Sequence, residues 1–135
     1  MRVFLDTNVL ASAFGTRGLC TDVVRLVLAE HELVISEFVL DELAKALRQK
    51  FGVPDATVQE ILVLLRTCRL QSTPAELPKI DVRDRDDLAV LGAAMAAGAD
   101  ALVTGDKDLL AIKEQLGIQI TNPRGFWEML KRKSA

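Results

Sequence analysis

Short apolar runs alternate with longer amphipathic stretches along the chain. Val3-Phe4-Leu5, Leu33-Val34-Ile35, Ala101-Leu102-Val103-Thr104 and Ile118-Gln119-Ile120 are each bounded by polar or turn residues. They are too short for helices and read as strands. Between them the apolar period changes to that of a helix, as in Thr21 to Glu30, where Val23, Val24, Val27 and Leu28 share one face. Asn8 to Phe14 reads as a helix ended by Gly15. Ser36 is placed to cap a helix running to about Lys50, stopped by Gly52 and Pro54, and Asp55 to cap another reaching Thr67. Downstream, Asp84 to Ala97 and Asp106 to Gln115 read as helices closed by Gly98 and Gly117, and Pro123 opens a last helix carrying Phe126, Trp127 and Leu130.

Strands joined through helices imply parallel pairing, because a parallel connection needs a crossover, and a sheet crossed on both sides is buried on both faces. The expected fold is therefore a three-layer α/β domain with a central parallel sheet of four or five strands flanked by helices. Ser72 to Lys79, with its prolines, is the one extended connection, and there is no repeat or low-complexity tract. With 135 residues, half of them apolar, residues 1–135 fit one domain around one core.

That topology gives meaning to the polar residues at strand ends. Ligands of open parallel sheets bind beyond the carboxyl ends of the strands. Asp6, Ser36 and Asp106 each follow a strand and so leave the sheet at one edge. Glu42, at the margin of an apolar stripe containing Val39 and Ala46, is placed nearer the sheet than Asp41, which an i,i+4 pair with Lys45 explains. In Arg83-Asp84-Arg85-Asp86-Asp87, Asp84 is the expected cap, and Asp87 continues into the row Leu91, Ala94, Gly98. Singly, these acids are explained by capping or by the helix dipole, worth about 0.3–1 kcal/mol each. Together they require a cation, since gathered and desolvated carboxylates repel one another. An oxygen-only set suits Mg²⁺ or Mn²⁺ better than zinc.

The formal net charge of −2 argues against a general nucleic-acid coat, although basic residues gather at Lys45-Arg48-Lys50 and Lys131-Arg132-Lys133. Cys20 and Cys68 lack metal-site spacing and read as reduced, largely buried thiols. No basic leader or membrane-length apolar run is present, so a cytoplasmic protein is expected, with no membrane partner. His31, between two glutamates at a helix end, reads as a turn or dipole residue. Gly15-Thr16-Arg17-Gly18 lacks phosphate-loop spacing and reads as a turn, with Arg17 still able to touch a phosphate. Phe126 and Trp127 read as core or partner contacts rather than base-stacking residues.

FLDTNVL, ISEFVLDEL, DRDDLAVLGAAMAAGAD and ALVTGDKDLL, in this order over nearly the whole chain, resemble the PIN-domain ribonucleases, in particular the VapC-like toxins of toxin–antitoxin pairs. The resemblance implies a metal-dependent endoribonuclease with Asp6, Glu42, Asp87 and Asp106 as acidic site residues binding Mg²⁺ or Mn²⁺, and Asn8, Ser36 and Thr104 as neutral residues that hold them. It further implies an RNA substrate, an antitoxin partner and a homodimer. Relatives commonly read DPDD where this chain has DRDD, which leaves a choice between Asp86 and Asp87 that the spacing to Gly98 tips toward Asp87. Asp108 fits either a metal ligand or the local turn, and the turn is favoured. Two other classes stay open: a non-catalytic RNA- or protein-binding module on this fold, and a phosphatase-like hydrolase with Asp6 as nucleophile, for which no suitable second Asp or Lys is evident.

Overall fold

A computed structural model describes residues 1–112 and 117–134. The elements run β1 (Arg2–Leu5), α1 (Thr7–Gly15), α2 (Leu19–Glu30), β2 (Glu32–Ser36), α3 (Glu37–Gln49), α4 (Asp55–Arg66), β3 (Arg69–Gln71), α5 (Arg85–Ala96), β4 (Ala101–Val103), α6 (Lys107–Leu110), β5 (Gln119–Thr121) and α7 (Pro123–Ser134). All five strands pair in parallel, in the order β3-β2-β1-β4-β5. β1 is central, with Val3 opposite Leu33 on one side and Ala101 on the other.

Successive strand residues point to opposite faces. Val3, Phe4 and Leu5 are all 0% exposed, so both faces of the central strand are covered, as a parallel sheet requires. The edges are different. Arg69 and Leu70 in β3 and Gln119 in β5 are exposed. β3 has no apolar run of its own and was not expected from the sequence; its backbone bonds to β2, in the register Val34 to Arg69, define it.

Several end residues behave as expected. Ser36 Oγ accepts the Val39 N–H at 3.2 Å as the cap of α3, and Asp84 accepts the Asp86 N–H at 2.9 Å as the cap of α5. Gly98, at φ +65°, turns the chain from α5 toward β4 in a conformation that costs glycine least. Asp55 does not cap α4. Pro54 occupies the cap position without a side-chain bond, and Asp55 lies in the first turn, paired with Arg48 at 2.7 Å. The Ser72 to Lys79 connection lies on α5: a Cβ on Gly92 would stand 3.2 Å from Pro78 Cδ. The helix expected to reach Gln115 is observed from Lys107 to Leu110, and residues 113–115 of that expectation lie outside the described residues.

The strand order places the site. β2 and β3 extend the sheet on one side of β1, and β4 and β5 on the other, so the chain reverses direction between β1 and β4. The loops leaving the carboxyl ends of β1 and β4 diverge there and open a crevice.

Candidate metal centre

Asp6 stands at that reversal. Its N–H continues the ladder by donating to Val103 O at 3.0 Å, while its extended backbone makes it the cap of α1. Oδ1 accepts the Thr7 N–H at 2.7 Å; Oδ2 accepts the Thr104 hydroxyl at 2.7 Å and Asn8 Nδ2 at 3.2 Å. The other end of the Asn8 amide accepts the Gly105 N–H at 2.8 Å, which ties the start of α1 to the loop after β4. Thr104 Oγ1 in turn accepts the Asp106 N–H at 3.0 Å. Asp106 Oδ1 closes the chain of contacts by accepting the N–H groups of Asp108 at 2.8 Å and Leu109 at 3.3 Å.

Thr104, 0% exposed, is the shared pivot, donating to one carboxylate and accepting the backbone N–H of the other's residue. Thr104→Val keeps the shape and removes both bonds, leaving Asp6 one donor short. It is expected to lower stability by about 1.5–3 kcal/mol, the range for hydrogen bonds to charged groups. Urea unfolding measures this loss, and Thr104→Ser is expected to recover most of it.

Asp87 enters the crevice from the first turn of α5. It is 6% exposed, and its Oδ2 has no hydrogen-bond partner among the described residues. Burial, then the charges of Asp106, Asp84 and Asp6, push its carboxyl up to about 7. Burial also raises Asp6, with Asp106 acting in the same direction, but bonds from Thr104, Thr7 and Asn8 oppose it. Asp86, the neighbouring choice, is exposed.

Carboxylate oxygens of Asp87, Asp106 and Asp108 lie within 4.8 Å of one another. Asp108 therefore does not act as the turn-former: the Asp106 side chain builds that turn, while the Asp108 carboxylate pairs with Arg83 at 3.1 Å. Glu42 lines the same cleft, of about 430 Å³, together with Asp6, Asp86, Asp87 and Asp106. It is not in the close trio. Its carboxylate lies 3.8 Å from Lys45 Nζ, so of the two acids within helical reach of Lys45, Asp41 and Glu42, Glu42 is the one paired. Ser36 is not among the cleft residues; its hydroxyl is used on the α3 cap and holds the helix that carries Glu42.

The donor set is entirely oxygen, and one buried carboxylate oxygen has no partner among the described residues and lies beside a second carboxylate. Such a set fits a hard divalent cation, which neutralises the repulsion and satisfies the orphaned atom. Lys45 and Lys50, of the basic cluster expected from the sequence, line the cleft, whereas Phe51, just past the end of α3 where helical periodicity carries no signal, was not expected there.

The remaining candidates lie elsewhere. His31 Nδ1 is 3.1 Å from the terminal amine of Met1, at the opposite end of the strands from the carboxylates. Phe126 is core at 0% exposure, and Trp127 carries Lys131 5.3 Å above its ring. Cys20 and Cys68 are free and half-buried. The Lys133 side chain lies outside the described residues. Among those described, no helix is long and apolar enough to cross a membrane.

Comparison with known proteins agrees with this architecture. The chain has the same fold as a chain in the crystal structure of VapBC2 from Rickettsia felis bound to a promoter DNA fragment, with 21% identity, a TM-score of 0.64 and coverage of 90% of this chain and 98% of that one. VapC20 of Mycobacterium tuberculosis, described as a sarcin–ricin loop cleaving toxin, aligns with 16% identity and a TM-score of 0.60 over 87% of this chain and 98% of that one. No curated protein sequence matches. The PIN-domain family model matches residues 2–108, a span that contains Asp6, Glu42, Asp87 and Asp106, and the chain belongs to the PIN-domain family.

Proposed function

We propose that this chain is an Mg²⁺- or Mn²⁺-dependent endoribonuclease that hydrolyses RNA phosphodiester bonds, and that it is the cytoplasmic toxin of a toxin–antitoxin pair. The observation that carries the chemistry is the partnerless Asp87 Oδ2, buried beside Asp106 at the reversal of the sheet. Membership of the PIN-domain family and the fold shared with VapC proteins support the biological role.

Asp87 and Asp106 are assigned as the residues that hold the cation, with Asp6 beside them and Asp108 within reach. When bound, the cation supplies charge neutralisation of the phosphate and activation of water. The chain supplies orientation. Thr104 and Asn8 lock the Asp6 carboxylate, and the two N–H groups at the start of α6 lock Asp106 Oδ1, leaving its other oxygen for the site. Glu42, 3.8 Å from Lys45 and lining the cleft, is assigned to orient water or substrate there. The hydrogen bonds to both oxygens of Asp6 fix its carboxylate in place beside the cation site and support an orienting or ligating role.

An antitoxin occupying a groove near the acidic site, and a homodimer, complete the proposal. The test is cleavage of a panel of structured and single-stranded RNAs by antitoxin-free protein. Cutting with Mg²⁺ or Mn²⁺, and none with EDTA or in Asp6→Asn, is the expected result. A folded protein that binds metal and cuts none of the panel would favour the non-catalytic binding module.

A further inference from the structure

The cleft has a second character that the carboxylates do not explain. Lys45, Gln49, Lys50 and Phe51 line the same space as Asp6 and Asp87. Phe51 is half-buried, packed in part against the core, and lines the cleft that Lys45 and Lys50 also line. Its position is built. The Val53 N–H donates to Leu47 O at 2.9 Å, and Gly52 at φ +60° turns the chain sharply past the end of α3. The ring lies against Gly15 of α1 in the place a side chain would take: a Cβ there would stand 2.5 Å from Phe51 Cγ and 2.7 Å from Cδ1. Two separate glycines thus hold one ring at the cleft.

A polyanion approaching six cleft carboxylates needs cations of the protein's own as well as any bound metal. Lys45 is committed to Glu42, whereas Lys50 makes no ion pair among the described residues. An aromatic ring and an ammonium group without an ion pair among the described residues, lining one cleft, match one nucleotide: an unpaired base against the ring, its phosphate on the lysine. A paired base has its faces hidden in the stack and offers the ring nothing.

Resting on the nuclease reading above, we propose that Phe51 and Lys50 form a nucleotide subsite, in which Phe51 stacks an unpaired base next to the scissile phosphate and Lys50 holds that nucleotide's phosphate. The subsite places an unpaired nucleotide beside the cut without reading its base, and the acidic centre performs the cut.

The experiment uses the full chain and labelled 12-nucleotide oligo-adenylate and oligo-uridylate, read by fluorescence anisotropy in EDTA across a salt series, with Mn²⁺-dependent cleavage of the RNA panel measured in parallel. Phe51→Leu, apolar and no larger than Phe, is expected to weaken single-strand binding about tenfold, and Phe51→Trp to retain it. Lys50→Gln, at an exposed position, is expected to flatten the slope of log affinity against log salt by about 0.7, the value for one phosphate contact on a single strand. A duplex of the same length is expected to bind more weakly and to be indifferent to Phe51→Leu. Unchanged single-strand affinity and salt slope in folded Phe51→Leu and Lys50→Gln, with wild-type cleavage intact, would overturn the subsite and leave the nuclease assignment standing. Absence of metal-dependent cleavage by the wild type would instead bring down the nuclease reading, and the subsite with it.

Discussion

Asp106→Asn is expected to lower metal-dependent RNA cleavage by about 10²–10³-fold while the protein stays folded, the scale seen when one preorganised electrostatic group is removed from a reacting centre. The two consequences separate because Asp106 has two tasks. Its Oδ1 caps α6 by accepting the Asp108 and Leu109 N–H groups, and an Asn carbonyl accepts the same pair. The cap and the short helix therefore survive. What disappears is the negative charge beside the buried Asp87, and with it one of the three carboxylates whose oxygens lie within 4.8 Å of one another. Initial cleavage rates with Mn²⁺, together with circular dichroism of the same sample, measure both consequences. A rate within about tenfold of wild type would remove Asp106 from the reacting centre.

The second large effect has the opposite sign, on stability. Asp87→Asn is expected to stabilise the metal-free protein at pH 8 by about 1–3 kcal/mol. The folded state holds the Asp87 carboxyl at about 7, far above the ordinary range near 4, because it is buried and faces Asp106, Asp84 and Asp6. Its contribution is fully favourable below the unfolded value, where the group is neutral in both states. It is lost progressively as pH rises from about 4 through 7, since the unfolded chain ionises first. A neutral Asn escapes this loss, so the gap between variant and wild type should open across that window and level off above it. Every pH unit separating the folded and unfolded titration midpoints corresponds to about 1.4 kcal/mol, and sharing the repulsion with Asp106 brings the expected gain below the full sum. Thermal melts in EDTA from pH 4 to 8 measure the gap. Adding Mn²⁺ should raise the melting temperature of the wild type and leave Asp87→Asn nearly unmoved, because only a state that binds the ion is stabilised by it. A variant less stable than wild type at pH 8 would mean that Asp87 has a native partner.

The same physics explains which parts of this molecule its sequence discloses. β1, β2 and β4 are legible because both their faces are buried, which forces continuous apolar runs. β3 lies at an edge, where Arg69 and Leu70 face solvent, so backbone pairing alone defines it. Asp6 and Asp106 are legible only together: each alone reads as a helix cap, but both follow buried strands that end at one edge of the sheet, and the spacing from Gly98 picks out buried Asp87 over exposed Asp86. Choices between near neighbours on exposed helices are not legible in this way. Lys45 is equidistant in principle between Asp41 and Glu42, and only the packed structure pairs it with Glu42. Asp55 looks like a cap, yet Arg48 from the preceding helix claims it. Asp108 and Phe51 owe their places to Arg83 and to Gly15, residues distant in sequence, so no local pattern announces them.

Calorimetric titration of Mn²⁺ into metal-free protein tests the central claim, that the carboxylates at the β1–β4 reversal form a divalent-cation centre. The account predicts a saturable site in the wild type, weakened at least about tenfold by Asp87→Asn and by Asp106→Asn and unaffected by Asp41→Asn on the exposed side of α3. Equal Mn²⁺ affinity in the wild type and in Asp87→Asn would contradict it.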